Sequence, residues 1–186
     1  MKKRLLLISL ALVLALTMLM PSAALADNGR RVSGGDFTGY GQLFVTYMPD
    51  PTVKGPIWRY SGETAGGYLA QCDWDLLAGT AFDSVHDSIV YVDSLGNARG
   101  VMKGTFTIMR GDGSILSGTF NGRIKGNLFT MVILDEGTWR STAGTGAFEN
   151  VKAWGKWSGN LGLVDLGGGQ FTLGGPLTWQ GKYLTR

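Results

Sequence analysis

GTWRSTAGTGAFENVKAWGKWSG, residues 137–159, decides how the rest of this chain is read. From Val151 onward it alternates: Val151, Ala153, Gly155 and Trp157 fall on one face, Lys152, Trp154 and Lys156 on the other. A period of two belongs to a strand with one face buried; a helix repeats every 3.6 residues. Just upstream, Ala143-Gly144-Thr145-Gly146-Ala147-Phe148 sets two glycines around a threonine and follows them with an aromatic ring. Glycine reaches positive φ without a steric clash, so the chain turns sharply here. Phe148 is then placed to plug the end of a core as the next strand begins.

The same period recurs on both sides of that stretch. Val101 to Arg110 and Ser114 to Lys125 predict a hairpin across Arg110-Gly111-Asp112-Gly113, because Asp-Gly favours tight two-strand turns. Leu116, Gly118, Phe120 and Gly122 face inward on its second strand, with Thr119, Asn121 and Arg123 facing out. The turn also spells the adhesion tripeptide Arg-Gly-Asp, but Gly and Asp are what a turn demands in any case. Upstream, Asp36 to Tyr47 and Ile57 to Ser61 predict strands, with Phe37, Leu43, Val45 and Tyr47 sharing one face. Tyr68 to Leu77 predicts another, with Tyr68, Ala70, Cys72, Trp74 and Leu76 inward and the carboxylates of Asp73 and Asp75 in solvent. Ala78 to Asp87 reads as a loop that sets His86 between Asp83 and Asp87, a solvated histidine in preference to a proton-transfer site, followed by a strand from Ser88 to Asp93. Downstream of the hairpin, Leu128 to Leu134 is apolar on both faces and predicts a central strand. Asp135-Glu136-Gly137 then reads as a turn. Leu177, Trp179, Gly181 and Tyr183 alternate with Thr178, Gln180 and Lys182, predicting a last strand that pairs near the first and removes the sheet edges.

Gly144, Thr145, Gly146 and Phe148, with Ala153 and Gly155 beyond them, resemble the Gly-Gly-Thr-Gly-x-Phe segment of a barrel family. That family includes allene oxide cyclases, dirigent proteins and many secreted bacterial proteins of unknown role. Ala143 stands where the first glycine is expected, and Glu149-Asn150 stand where small residues are usual. The resemblance implies an antiparallel barrel. It carries over no catalytic residue, because the motif builds wall and turn.

Composition narrows the class further. The chain has 30 glycines among 186 residues, all beyond residue 26 and without a three-residue period, which excludes collagen. They alternate with β-branched and aromatic residues, which predicts short strands with glycine-rich turns rather than disorder. No helical periodicity of any length follows Ala26. The expectation is an all-β protein, a single closed antiparallel barrel of about eight strands.

Residues 1–26 read as a secretory signal peptide: Met1-Lys2-Lys3-Arg4, an apolar run from Leu5 to Met20, then Ala24-Leu25-Ala26. The run falls short of the roughly 20 apolar residues that span a bilayer. Cleavage after Ala26 leaves one barrel domain at 27–186, secreted or periplasmic, with no membrane attachment. The leader removes three basic residues and no acid, so the formal charge of +3 falls to zero, with fourteen of each sign remaining. A nucleic-acid partner needs a basic excess or stripe, which this balance does not offer. Cys72 is the sole cysteine and His86 the sole histidine. An intramolecular disulfide is thereby excluded, a multi-histidine metal site is excluded, and no metal or cofactor is expected.

Three functions fit such an object. The first is a binding module for a small apolar ligand in the barrel interior, lined by Trp74, Phe120, Trp157 and Trp179. The second is an enzyme of the cyclase or isomerase type using that cavity, which the resemblance alone suggests. The third is a carbohydrate- or protein-binding outer surface at Lys152, Trp154 and Lys156, where a tryptophan sits between two cations. The ligand, the catalytic residues and the oligomeric state are not readable from the chain.

Overall fold

The computed structural model describes residues 33–185; the leader reading lies outside them. Nine strands account for almost all of this region: β1 (Ser33–Tyr47), β2 (Thr52–Lys54), β3 (Ile57–Cys72), β4 (Thr80–Val92), β5 (Asn97–Met109), β6 (Ile115–Asn127), β7 (Val132–Gly144), β8 (Lys152–Gly167) and β9 (Gln170–Thr185). Every long strand pairs antiparallel with its sequence neighbour, and β1 pairs with both β9 and β3. Eight long strands therefore form a closed, barrel-like ring, with β2 a three-residue ribbon on β3. The predicted pairing of the last strand with the first is present, from Ser33 opposite Thr185 to Phe44 opposite Gly174. Among the described residues, closure pairs every long strand on both sides.

One end of the ring is stoppered by the segments that the sequence marked. Gly146–Phe148 form a short 3-10 turn, whose Phe148 is fully buried. Ser114 locks this turn to the β5–β6 hairpin, since Ala147 N–H donates to its buried hydroxyl at 2.9 Å. Gly146 sits at φ +59, and a Cβ there would lie 2.4 Å from Ser114 Oγ, so position and conformation both demand glycine. Trp74 and Leu77, from the β3–β4 loop, complete the stopper. Trp74 stacks flat on Tyr183 at 4.2 Å and meets the Phe148 ring edge-on at 6.3 Å. The middle of the ring is filled by an aromatic column, with Trp139 and Trp179 stacked at 4.9 Å and Phe106 set edge-on against both.

Five expectations need correction. The strand over Tyr68 to Leu77 ends at Cys72, and its inward phase is the reverse of that expected. Leu69 is fully buried while Tyr68 and Ala70 face solvent. A register shift at Ser61/Glu63 and a second at Ala70, which has no partner because Tyr40 and Gly41 face Gln71 and Leu69, reset the alternation of β3, and Trp74 reaches the core from a loop. Tyr47 is exposed rather than inward because a further shift falls between Val45 and it. Residues 128–131 form the β6–β7 turn, and Asp135-Glu136-Gly137, read as a turn, lies inside β7. His86, read as a solvated loop residue, lies in β4 and is buried.

Candidate functional site

On β4 the inward positions run Phe82, Ser84, His86, Ser88, Val90 and Val92, a single unbroken alternation. His86 pairs in register with Glu63 on β3 and with Gly104 on β5. A Cβ at Gly104 would fall 2.6 Å from the His86 Cβ, so the bare glycine makes room for the imidazole. Glu63 follows Gly62, which holds φ +77 at the β3 irregularity and turns the carboxylate inward. Its Oε2 lies 3.3 Å from His86 Nε2, and both side chains are close to fully buried. Across the ring, β7 alternates Ile133, Asp135, Gly137 and Trp139 inward, which carries the Asp135 carboxyl to the same level.

These three groups line a narrow slot with Phe82, Phe106, Phe120, Trp157, Trp179, Leu43 and Leu161. Its volume is about 50 Å³. A void of this size holds a few water molecules or the head of a small ligand; drug-sized sites run from about 300 Å³ upward. Trp157 lies over a floor without side chains, because Cβ atoms at Gly122 and Gly137 would each sit 2.8 Å from its indole. The edge of Phe120 packs against Trp157 at 5.8 Å and against the His86 ring at the same distance. The stopper at Phe148 and Trp74 shuts one end; toward the end that carries the 93–96 and 128–131 turns, Val90, Val92 and Ala98 form a second buried cluster with Trp58, Tyr60, Ile124 and Leu128 packed against it.

The electrostatics of the slot are unusual for a packed interior. Burial pushes the Asp135 carboxyl up to about 7, with the nearby Glu63 charge adding to the rise and His86 opposing it. A carboxyl held neutral near neutrality donates a hydrogen bond as well as accepting one. Tyr60 is also raised, by burial first and then by Glu63. His86 Nδ1, Asp135 Oδ1, Ser88 Oγ and Trp157 Nε1 are all buried without a protein partner. Native proteins leave few such groups, and each costs roughly 1–3 kcal/mol if unsatisfied. Among the described residues no group of three His, Cys, Asp or Glu side chains has the spacing to hold a metal ion.

Three of the four residues predicted to line an interior site, Phe120, Trp157 and Trp179, do line the slot, while Trp74 belongs to the stopper. Lys152, Trp154 and Lys156 project from the outer wall, and Trp154 is 42% exposed. Cys72 is half-buried between β3 and the following loop, and burial raises its thiol pKa, so it is a poor nucleophile. An open trough of about 1170 Å³ lies over the outer wall near Lys103, Asn121 and Thr138. Glu63 and Asp135 were not anticipated as site residues, and His86 was weighed for proton transfer only with Asp83 and Asp87, which face solvent. The i, i+2 pattern on β4 and β7 signals His86 and Asp135; nothing local signals Glu63, whose phase depends on the irregularity at Gly62.

Fold and site together define a class: an all-β protein whose antiparallel sheet closes on itself around a buried cluster of two carboxyls and one imidazole. No family model matches this chain, and no curated protein matches it.

Proposed function

We propose that this is an exported barrel protein that binds a small, mainly apolar molecule head-first in its interior, reading one polar group of that molecule with Glu63, His86, Asp135 and Trp157. The observation that carries this reading is that three of the residues lining a largely aromatic and aliphatic slot, His86, Asp135 and Trp157, each hold a buried polar atom without a protein partner. Filling the same space with leucine or phenylalanine would cost less than burying two acids and a histidine. Groups so perturbed in a cleft are the usual mark of a functional site. The resemblance of the Gly144–Phe148 segment to the allene oxide cyclase and dirigent barrels supports the same assignment of function to the interior.

The slot selects by charge. Two carboxyls at its base disfavour an anionic head, while a hydroxyl, carbonyl or amine head meets both donors and acceptors. A thermal-shift series of medium-chain alcohols, ketones, amines and carboxylic acids at pH 7 tests this. A binder at about a hundred times its Kd adds about 2.7 kcal/mol, which for this size raises the midpoint by about 5 to 10 °C. Acids should give the smallest shifts, and Trp157→Phe, which deletes one donor, should weaken the best binder about three- to tenfold. The reading fails if no neutral or amine head raises the midpoint, or if Trp157→Phe leaves every shift unchanged.

A second reading, proton transfer of the cyclase or isomerase kind, is favoured by one observation: the Asp135 carboxyl, pushed up to about 7 in the slot, is suited to give or take a proton near neutral pH. Turnover of a bound ketone, lost in Asp135→Asn with binding retained, would distinguish it from binding alone.

A further inference from the structure

Strand register on the outer wall places four cations around one exposed indole. Trp154 lies directly opposite Arg140 on β7 and Lys182 on β9, and Lys152 and Lys156 flank it along β8 on the same face. Cross-strand neighbours stand about 5 Å apart, and Lys152 to Lys156 span about 13 Å along the strand. Lys182 meets Asp36 at 3.2 Å, but Arg140, Lys152 and Lys156 make no ion pair among the described residues. The one cation seated over an aromatic ring among these residues is Arg99, on Tyr91, so the indole face of Trp154 is not capped by its neighbours. Over residues 27–186 the two signs balance at fourteen each, so four cations gathered at one tryptophan are a local basic cluster. Shallow grooves of about 520 and 390 Å³ run on either side of the ring, one along Arg140 and Lys152, the other along Lys156 and Lys182.

We propose that this face binds a short acidic oligosaccharide, with one sugar ring stacked on Trp154 and its carboxylate or sulfate groups held by Arg140, Lys152, Lys156 and Lys182. A pyranose offers a flat C–H face to an indole, and the grooves give the chain room to continue on both sides. A nucleic acid fits less well. Single-strand binding uses a run of aromatic platforms along a basic channel, and here one platform stands on a domain with no basic excess. The site is independent of the interior slot, lying on the opposite face of the same sheet.

The test is isothermal titration of the purified protein at low ionic strength with oligogalacturonate, a heparin-derived oligosaccharide and neutral maltohexaose, with anionic phospholipid vesicles as a fourth arm. The expected result is binding of one or both acidic sugars, which weakens as salt rises, with no binding of the neutral one. The two acidic arms separate carboxylate from sulfate recognition. Trp154→Ala should lower affinity at least tenfold, and the double variant Lys152→Glu, Lys156→Glu should abolish binding; an unchanged melting midpoint in both excludes loss of fold. Equal binding by the wild type and Trp154→Ala would overturn the proposal in favour of diffuse charge attraction. Binding of vesicles with no response to either acidic sugar would overturn it in favour of a membrane surface, and silence in all arms would overturn it outright.

Discussion

Asp135→Asn should abolish a fall in stability that the wild-type protein shows between about pH 4 and pH 7. In the unfolded chain an aspartate ionises near 3.9; in the folded ring burial holds Asp135 protonated up to about 7. Between those values the folded state binds more protons than the unfolded one, so stability declines as pH rises. Below about pH 4 both states are protonated and the group contributes nothing; above about pH 7 both are ionised and the full cost is present. A shift of about three units corresponds to up to about 4 kcal/mol. Asp87, Asp93 and Asp112, exposed and held low by hydrogen bonds, act in the opposite sense, with an effect confined to more acid pH. Urea midpoints of the two proteins should coincide near pH 4 and separate steadily toward pH 8, with the asparagine variant the more stable. Parallel profiles would mean that Asp135 ionises as an ordinary surface acid and that the slot is wetter than the structure indicates.

Trp179→Ala should cost about 3–5 kcal/mol, the range for deleting a large aromatic side chain from a packed core. The indole stacks on Trp139, receives the Phe106 edge at 5.3 Å and meets Phe82 at 6.0 Å, so four strands lose contacts at once. The melting midpoint should fall by roughly 6 to 20 °C. The deletion also opens an apolar void beside the slot, and such voids bind aromatic guests of matching shape. Added indole should therefore restore part of the lost stability in this variant and leave the wild type unchanged. A loss under about 1 kcal/mol would show that the aromatic column is not what holds the ring together.

How much of this was legible in the chain depends on which physical signal each residue obeyed. Val151 to Trp157 obeyed strand period alone, and the structure places its two faces as the alternation predicts. The hairpin at Arg110–Gly113 and the stopper role of Phe148 were equally readable, because turn chemistry and burial pointed the same way. Asp135 was misread because Asp-Glu-Gly carries turn chemistry and the flanking alternation of Ile133, Gly137 and Trp139 carries strand period; pairing with Ile124 and Gly159 decides for the strand. His86 was misread because polar residues surround it, yet its inward neighbours Phe82 and Val90 keep the phase. Irregularities were the real barrier. Each register shift in β1 and β3 flips every side chain beyond it, and an isolated strand sequence shows no sign of where pairing partners force one. Glu63 and Trp74 reach their places through such breaks, so neither could be assigned to its site from spacing.

The central claim is that Glu63, His86, Asp135 and Trp157 form a site for the head of a ligand and not a structural oddity of the core. His86 is the only histidine, so its imidazole gives a single set of nuclear magnetic resonance signals that needs no assignment among rivals. The decisive measurement is a titration of the labelled protein with the best alcohol, ketone or amine from the thermal series, following the His86 ring nitrogens and the Trp157 indole N–H. The account predicts that both sets move together with the same affinity that stabilises the fold, and that the Trp154 indole signal stays still. Stabilisation by a ligand that leaves the His86 and Trp157 signals in place would put the binding elsewhere and contradict it.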